Sequence, residues 1–164
     1  MKSNITIRSI QEDNIDFVVQ GIMAIQEHEC ALHDTRKDPD KNLCRQYFET
    51  VLNNSEQKQG DIFVICENDT PVGFIAFWIN EDTVLLETDS SNRYGYISDI
   101  FVLEQKRKNG YANQLLNAAQ EHFSKKSIQR IRICALAANT LAKSAYINAG
   151  FEPYEILFEK VVKS

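Results

Sequence analysis

Nowhere does this sequence pair two cysteines in a Cys-x-x-Cys spacing. Its four cysteines, Cys30, Cys44, Cys66 and Cys134, are scattered along the chain. Cys66 and Cys134 fall in predicted strands, where small buried thiols are common. That distribution argues against a disulfide framework and points to a reduced, cytoplasmic setting. Histidine is scarcer still. Three are present, and His28 and His33 stand five apart rather than the four that would put both on one helix face toward a metal, so no metal is expected. His122 lies on a predicted helix and reads as a surface residue. The Gly-x-Ser-x-Gly elbow of a serine hydrolase is missing, as are the GxxxxGK[ST] and GxGxxG nucleotide loops. No cysteine has a helix-start or basic setting that would activate it. Long apolar runs and a leader-like N-terminus are also lacking, which gives no reason to expect a membrane partner. Net positive charge is absent too. At -5 overall, the chain lacks the basic excess that nucleic-acid binding normally calls for.

What remains is an ordinary globular composition, 43% hydrophobic and 25% charged, over 164 residues. That length fits one domain over residues 1–164 with a substantial core. Ile5, Ile7 and Ile10 read as a short first strand. Ile15, Val18, Val19, Ile22 and Met23 recur at helical spacing, with Asp13 as a plausible N-cap. Asp38 and Pro39 restart a helix as N-cap and first residue, and Leu43, Tyr47, Val51 and Leu52 form its apolar face. The stretches 62–66 and 72–79 pair as a hairpin across an Asn68-Asp69-Thr70-Pro71 turn. Residues 81–93 read as a loop around Val84-Leu85-Leu86. A central strand spans 94–102. A helix follows over 110–125, then a strand over 130–135, a helix over 139–148 closed by Gly150, and one or two strands over 151–162. The order is β-α-α-β-β-β-α-β-α-β, an α/β (α+β) arrangement with helices covering a mixed sheet.

The richest stretch follows the central strand. Ile100-Phe101-Val102-Leu103 ends in the basic, glycine-bearing turn Arg107-Lys108-Asn109-Gly110-Tyr111-Ala112. Ala112, Leu115, Leu116, Ala119 and Phe123 then make one helical face. A helix start leaves backbone N–H groups without intrahelical partners and carries positive potential, so a strand–turn–helix of this kind suits a phosphate. Gly110 and Ala112 keep side chains out of the way. Arg107 and Lys108 form a basic spot on an acidic protein, which fits one anionic cofactor better than a polyanion. Without a Walker lysine, the ligand's phosphates would be gripped and not transferred.

Downstream stand Asn139, Ala142, Tyr146 and Gly150-Phe151. Singly these read as a helix cap, a small helix residue, a core aromatic and a C-cap. Together with Arg107-x-x-Gly110-x-Ala112, their order and spacing resemble the GCN5-related N-acetyltransferase family (GNAT), and Tyr96 to Val102 looks like that family's fourth strand. The resemblance runs over nearly the whole chain and is sharpest from Tyr94 to Phe151. It implies a mostly antiparallel sheet with splayed fourth and fifth strands, flanked by about four helices. It further implies acetyl-coenzyme A as co-substrate, with the pyrophosphate on Arg107, Lys108, Asn109, Gly110, Tyr111 and Ala112. The pantetheine arm would pair with backbone near Phe101 and Val102. Asn139 and Ala142 would stand beside the cofactor, with Tyr146 as general acid near its sulfur.

One departure affects the general base. Many relatives carry a Glu on the fourth strand where this chain has Ser98, with Asp99 next to it. Adjacent strand residues face opposite ways unless a bulge redirects one of them. Ser98 and Asp99 therefore both stay open as base candidates. The family's acceptor pocket corresponds to Glu27, His28, Glu29, His33 and Asp34, with Tyr47 a further candidate. The three carboxylates favour a cationic amine, either a small molecule or the amine of a protein or peptide, and a homodimer is an open option. The competing reading is a binding module that keeps the fold and senses acyl-coenzyme A without turnover.

Overall fold

The structure, a computed structural model, describes residues 3–162. Five strands form one sheet in the order β1-β2-β3-β4-β5: β1 Ile5–Ser9, β2 Asp61–Glu67, β3 Thr70–Glu81, β4 Arg93–Val102 and β5 Ile131–Ile133. The first three pairings are antiparallel and β4–β5 is parallel. The helices α1 Ile15–Leu32, α2 Lys41–Gln57, the one-turn α3 Asp89–Asn92 and α4 Tyr111–Ser124 run between them, and α5 Thr140–Asn148 follows β5.

β3 explains why the sheet has helices on both faces. Phe74 to Ile79 are all buried, without the alternation of a half-exposed strand. Its side chains divide between two cores. Ile75, Phe77 and Ile79 meet Leu115, Leu116, Ala119 and Phe123 of α4. Phe74, Ala76 and Trp78 meet Val18, Val19 and Ile22 of α1 and Phe48 and Val51 of α2. Burying a Leu, Ile or Phe side chain is worth about 1.5–3 kcal/mol, so these two layers dominate the fold's stability. Gly21 lets α1 approach the sheet, since a Cβ there would lie 2.5 Å from the Phe74 ring and 2.8 Å from that of Phe101.

Several local expectations need correction. Asp13 sits inside a 3-10 turn, Glu12–Asn14, and α1 begins after Asn14, then continues through Cys30 to Leu32. The second helix is capped by Asp40, not Asp38. Asp40 Oδ1 accepts the Leu43 N–H at 2.9 Å, and Pro39 lies outside the helix. The buried face of α2 is Cys44, Phe48, Val51 and Ser55, one residue around from the face expected from Leu43 and Tyr47. Burying the Phe48 ring turns Tyr47 toward the sheet with its hydroxyl free to bond. Cys134 falls just beyond β5 and is exposed. The 151–162 stretch contains no strand and is largely exposed.

The cap assignment is directly testable. Asp40→Ala should lower stability by about 1 kcal/mol, the usual loss for an N-cap carboxylate. Asp38→Ala should stay within about 0.5 kcal/mol of the parent, as surface changes generally do. Urea denaturation midpoints of the two variants check this.

Candidate active site

A one-residue irregularity in β4 arranges the site. Ala76 of β3 stands opposite Asp99, yet the next residue, Phe77, stands opposite Ile97, so Ser98 is an extra residue bulged out of the ladder. Directly opposite residues share a sheet face. Tyr96, Asp99 and Phe101 therefore face α1 and α2 with Trp78, Ala76 and Phe74, whereas Ile97, Ile100 and Val102 face α4. Without the bulge, Ser98 would share the face of Tyr96 and Asp99 would point into the α4 core. Ser98 instead places its Oγ 3.4 Å from the Ala76 carbonyl.

Asp99 is buried, and Tyr47 of α2 donates its hydroxyl to Asp99 Oδ2 at 3.0 Å. Burial pushes the carboxyl above the usual carboxylate range. The Ser98 and Tyr47 donors offset part of that rise, and nearby Glu29 adds to it. Tyr47 is itself raised strongly, first by burial of its hydroxyl and then by Asp99. Tyr146 on α5 completes the group. Burial, followed by the fields of Asp99, Glu29 and Cys134, pushes its phenol up to about 12, so it is protonated at neutral pH. Glu29, Tyr47, Asp99, Cys134 and Tyr146 thus converge from α1, α2, β4, the β5 end and α5. The acceptor candidates divide accordingly. Glu29 faces this cluster and pairs with Arg36 at 2.8 Å. Glu27, His28, His33 and Asp34 are exposed, with His33 Nδ1 2.9 Å from Thr35 Oγ1.

Next to the cluster, β4 parts from β5. Pairing covers only Gly95, Tyr96 and Ile97 against Ile131, Arg132 and Ile133, while β4 continues to Val102. Among the described residues, no strand pairs with Ser98–Val102 on that side. These are the splayed fourth and fifth strands. The Leu103 N–H bonds the Val72 carbonyl, so by antiparallel alternation Phe101 turns its backbone groups toward β3 and Val102 turns its own toward the opening. The turn at the end of the opening leaves helix-start amides without partners. Lys108 and Gly110 both have positive φ, at 63° and 80°, which curls the intervening amides inward. A Cβ on Gly110 would meet nothing within 4 Å, so open space lies over it. Gly110 caps α4 without a side-chain bond, leaving the first helical amides, Tyr111 and Ala112 among them, for a ligand. Arg107 Nε donates to the Val102 carbonyl at 3.3 Å, and Asn109 Nδ2 to that of Lys106 at 3.1 Å. The Tyr111 side chain is buried toward Glu67, which also pairs with Lys106. This Lys106–Glu67 tie between the turn and the β2–β3 hairpin joins residues 39 apart, so no local pattern announces it. Asn139 accepts the Ala142 N–H at 3.1 Å and caps α5, the helix that carries Tyr146.

These features have the arrangement of acyl-coenzyme A dependent transferases. The sequence profile of the Acetyltransferase (GNAT) family matches residues 24–151, most of the chain, and the protein belongs to that family. Among solved structures, it is similar to an aminoglycoside N-acetyltransferase, AAC(6')-Iy, in complex with coenzyme A. The two are 19% identical, the alignment covers 100% of this chain and 98% of the other, and the TM-score is 0.71. A predicted acetyltransferase with acetyl-coenzyme A from Clostridium acetobutylicum is 20% identical over 96% of both chains, with a TM-score of 0.71. A variant of the BH1408 protein from Bacillus halodurans is 18% identical over 96% and 99% of the two chains, with a TM-score of 0.82. No curated protein matches the sequence at a significant level.

The buried carboxylate has a thermodynamic signature. A carboxyl raised by burial stabilises the fold while protonated, and that contribution is lost as pH rises through its folded-state value. Asp99→Asn should therefore unfold at a higher temperature than the parent at pH 7. The difference should shrink toward zero below about pH 4, near the unfolded carboxyl value, where both side chains are neutral. Melting temperatures across that pH range check it.

Proposed function

We propose that the protein is an acetyl-coenzyme A dependent N-acetyltransferase that acts on a primary amine, preferentially a small cationic one, by direct attack within a ternary complex. The observation that supports this reading is that Tyr146 lies within the field of the buried Asp99 on β4, the strand that leads to a turn with uncapped helix-start amides. The pyrophosphate would rest on the amides of Lys108 to Ala112, with Arg107 beside them. The pantetheine arm would lie along Phe101 and Val102, which delivers the thioester to the cluster. AAC(6')-Iy has also been solved with a bisubstrate analogue, CoA-S-monomethyl-acetylneamine, which unites coenzyme A with an aminoglycoside fragment. That is consistent with an acceptor of cationic amine type here.

Acetyl-coenzyme A supplies the thioester, and the chain's residues manage two protons. An alkyl amine with a pKa of about 10.4 arrives as ammonium, which carries no lone pair for attack. Asp99, raised by burial, is a stronger base than an ordinary carboxylate and attracts that cation, with Tyr47 fixing its orientation. It takes one proton, directly or through water. The amine nitrogen then attacks the carbonyl carbon, the C–S bond breaks, and the coenzyme A sulfur leaves. Tyr146, protonated at neutral pH, donates to that sulfur as it departs. The acylated nitrogen then sheds its second proton, which returns to the Tyr146 phenolate directly or through water, and Asp99 releases its own proton to solvent, which closes the cycle.

A non-catalytic binder of acyl-coenzyme A would need the turn but not the carboxylate–phenol pair. Two variants separate the readings. Tyr146→Phe removes only the hydroxyl and should lower turnover by about a hundredfold or more, the scale for losing a positioned acid, with cofactor affinity little changed. Gly110→Glu should instead abolish calorimetric binding of acetyl-coenzyme A, by charge and by strain at positive φ. Thiol release measured over a panel of amines, with cationic acceptors leading, is the accompanying assay. No release from any amine, despite tight cofactor binding, would favour the binder.

A further inference from the structure

Beside the turn that would hold the pyrophosphate stands a carboxylate, a group that charge alone would keep away from an anion. Glu67 closes β2, opposite Ile5 of β1 on one side and Thr70 of β3 on the other. Its side chain is 18% exposed, and its Oε2 pairs with the ammonium of Lys106. Lys106 ends the 3-10 turn Glu104–Lys106, immediately before Arg107. Past Gly110, Tyr111 opens α4, and its buried side chain brings its hydroxyl to the same carboxylate. One carboxylate thus holds the two residues that flank Arg107–Gly110. Lys106 first, then Ser3 and Tyr111, keep Glu67 below the usual carboxylate range, so it is ionised at neutral pH.

The segment between these two anchors needs outside support. Lys108 has a φ of 63°, a left-handed conformation that a residue other than glycine keeps only where its surroundings impose it. Bonds inside the turn are local. The Lys106 N–H donates to the Leu103 carbonyl at 2.8 Å, and Asn109 Nδ2 donates to the Lys106 carbonyl at 3.1 Å. Arg107 Nε reaches the Val102 carbonyl at 3.3 Å, on the strand from which the turn itself springs. Glu67, by contrast, stands on a different strand that is paired on both sides. Its pairing also neutralises Lys106, which leaves Arg107 and Lys108 to meet a phosphate.

We infer that Glu67 is a positioning residue: through Lys106 and Tyr111 it clamps the turn in the shape that presents the Lys108–Ala112 amides, and so sets the affinity for the coenzyme A pyrophosphate without touching it. This rests on the reading of the turn as the pyrophosphate site. A turn already held in its binding shape spares the ligand the cost of ordering it. Charge and clamp make opposite predictions for Glu67→Gln. By charge alone, the variant deletes a negative group near an anion and frees the Lys106 ammonium, so binding should tighten. By the clamp, it should weaken.

Calorimetric titration with coenzyme A, joined to nitrogen-15 relaxation of the ligand-free protein, tests this. Glu67→Gln and Lys106→Met should each raise Kd about tenfold, and the double variant should raise it no further than either single change. Lys106→Arg keeps the pair and should bind as the parent does. Order parameters over residues 107–110 should fall from about 0.85 toward about 0.6 in Glu67→Gln, with Leu115 to Phe123 unchanged. In amine acetylation, KM for acetyl-coenzyme A should rise with Kd, while kcat and the acceptor KM hold, a split that general destabilisation would not produce. Glu121→Gln, which breaks the exposed Lys125–Glu121 pair on the same helix, should change none of these. Parent-like or tighter binding by Glu67→Gln overturns the clamp and leaves the pyrophosphate reading standing. A parent that binds no coenzyme A at millimolar concentration overturns both. If Glu67→Gln fails to fold, Lys106→Met against Lys106→Arg decides: equal affinities overturn the clamp.

Discussion

The extra residue at Ser98 is the constraint on which the site depends. A regular β4 would alternate without interruption, and Asp99 would be a charged group in the α4 core among Leu115, Leu116 and Phe123. One bulged residue reverses the phase, so that Tyr96, Asp99 and Phe101 share a face while Ile97, Ile100 and Val102 remain in the opposite core. The carboxylate is still buried, but it meets a hydroxyl donor in Tyr47 instead of hydrocarbon. A buried charge is tolerable only with such partners. The cost of keeping it is a raised proton affinity, the property the proposed base would use.

The second consequence of β4 is the opening. Its pairing to β5 stops at Ile97, immediately before the bulge, and five more residues continue without a partner on that side. An unpaired strand edge inside a fold is unfavourable unless a ligand or water takes up its backbone groups. Here the edge leads straight to the turn at Lys108 and Gly110 and to the free amides of α4. On the proposed reading, one strand would present the base, the rail for an extended ligand arm and the approach to the phosphate site. From the other side, α1 brings Glu29 and α2 brings Tyr47 to the same cluster, where the proposed acceptor would enter.

Much of this was legible in the residues. The apolar face of α4, the β2–β3 hairpin and the strand–turn–helix at Arg107 to Ala112 are local, and local periodicity reported them. The Asp99 orientation was not legible, because a bulge is a property of the register between β3 and β4 and leaves no mark in β4 alone. Tyr47 illustrates the same limit. Its spacing suits an apolar helix face, but Phe48 beside it takes the core position, and only the tertiary packing reveals which ring goes inside. Asp38 and Asp40 both precede the helix with Pro39 between them, and Asp40 prevails because its carboxylate can reach the Leu43 amide. The 151–162 stretch has the composition of a strand and lacks a strand neighbour, which no reading of one chain's sequence could reveal.

The central claim is that coenzyme A lies along the unpaired part of β4 with its pyrophosphate on the turn before α4. Mapping backbone amide shifts of isotope-labelled protein during a coenzyme A titration tests it most directly. The account predicts saturable shifts, largest at Lys108 through Ala112, continuing through Phe101 and Val102, with β1 and β2 unmoved. Saturable binding with its largest shifts away from that turn and strand, or no shifts at millimolar coenzyme A, would contradict it.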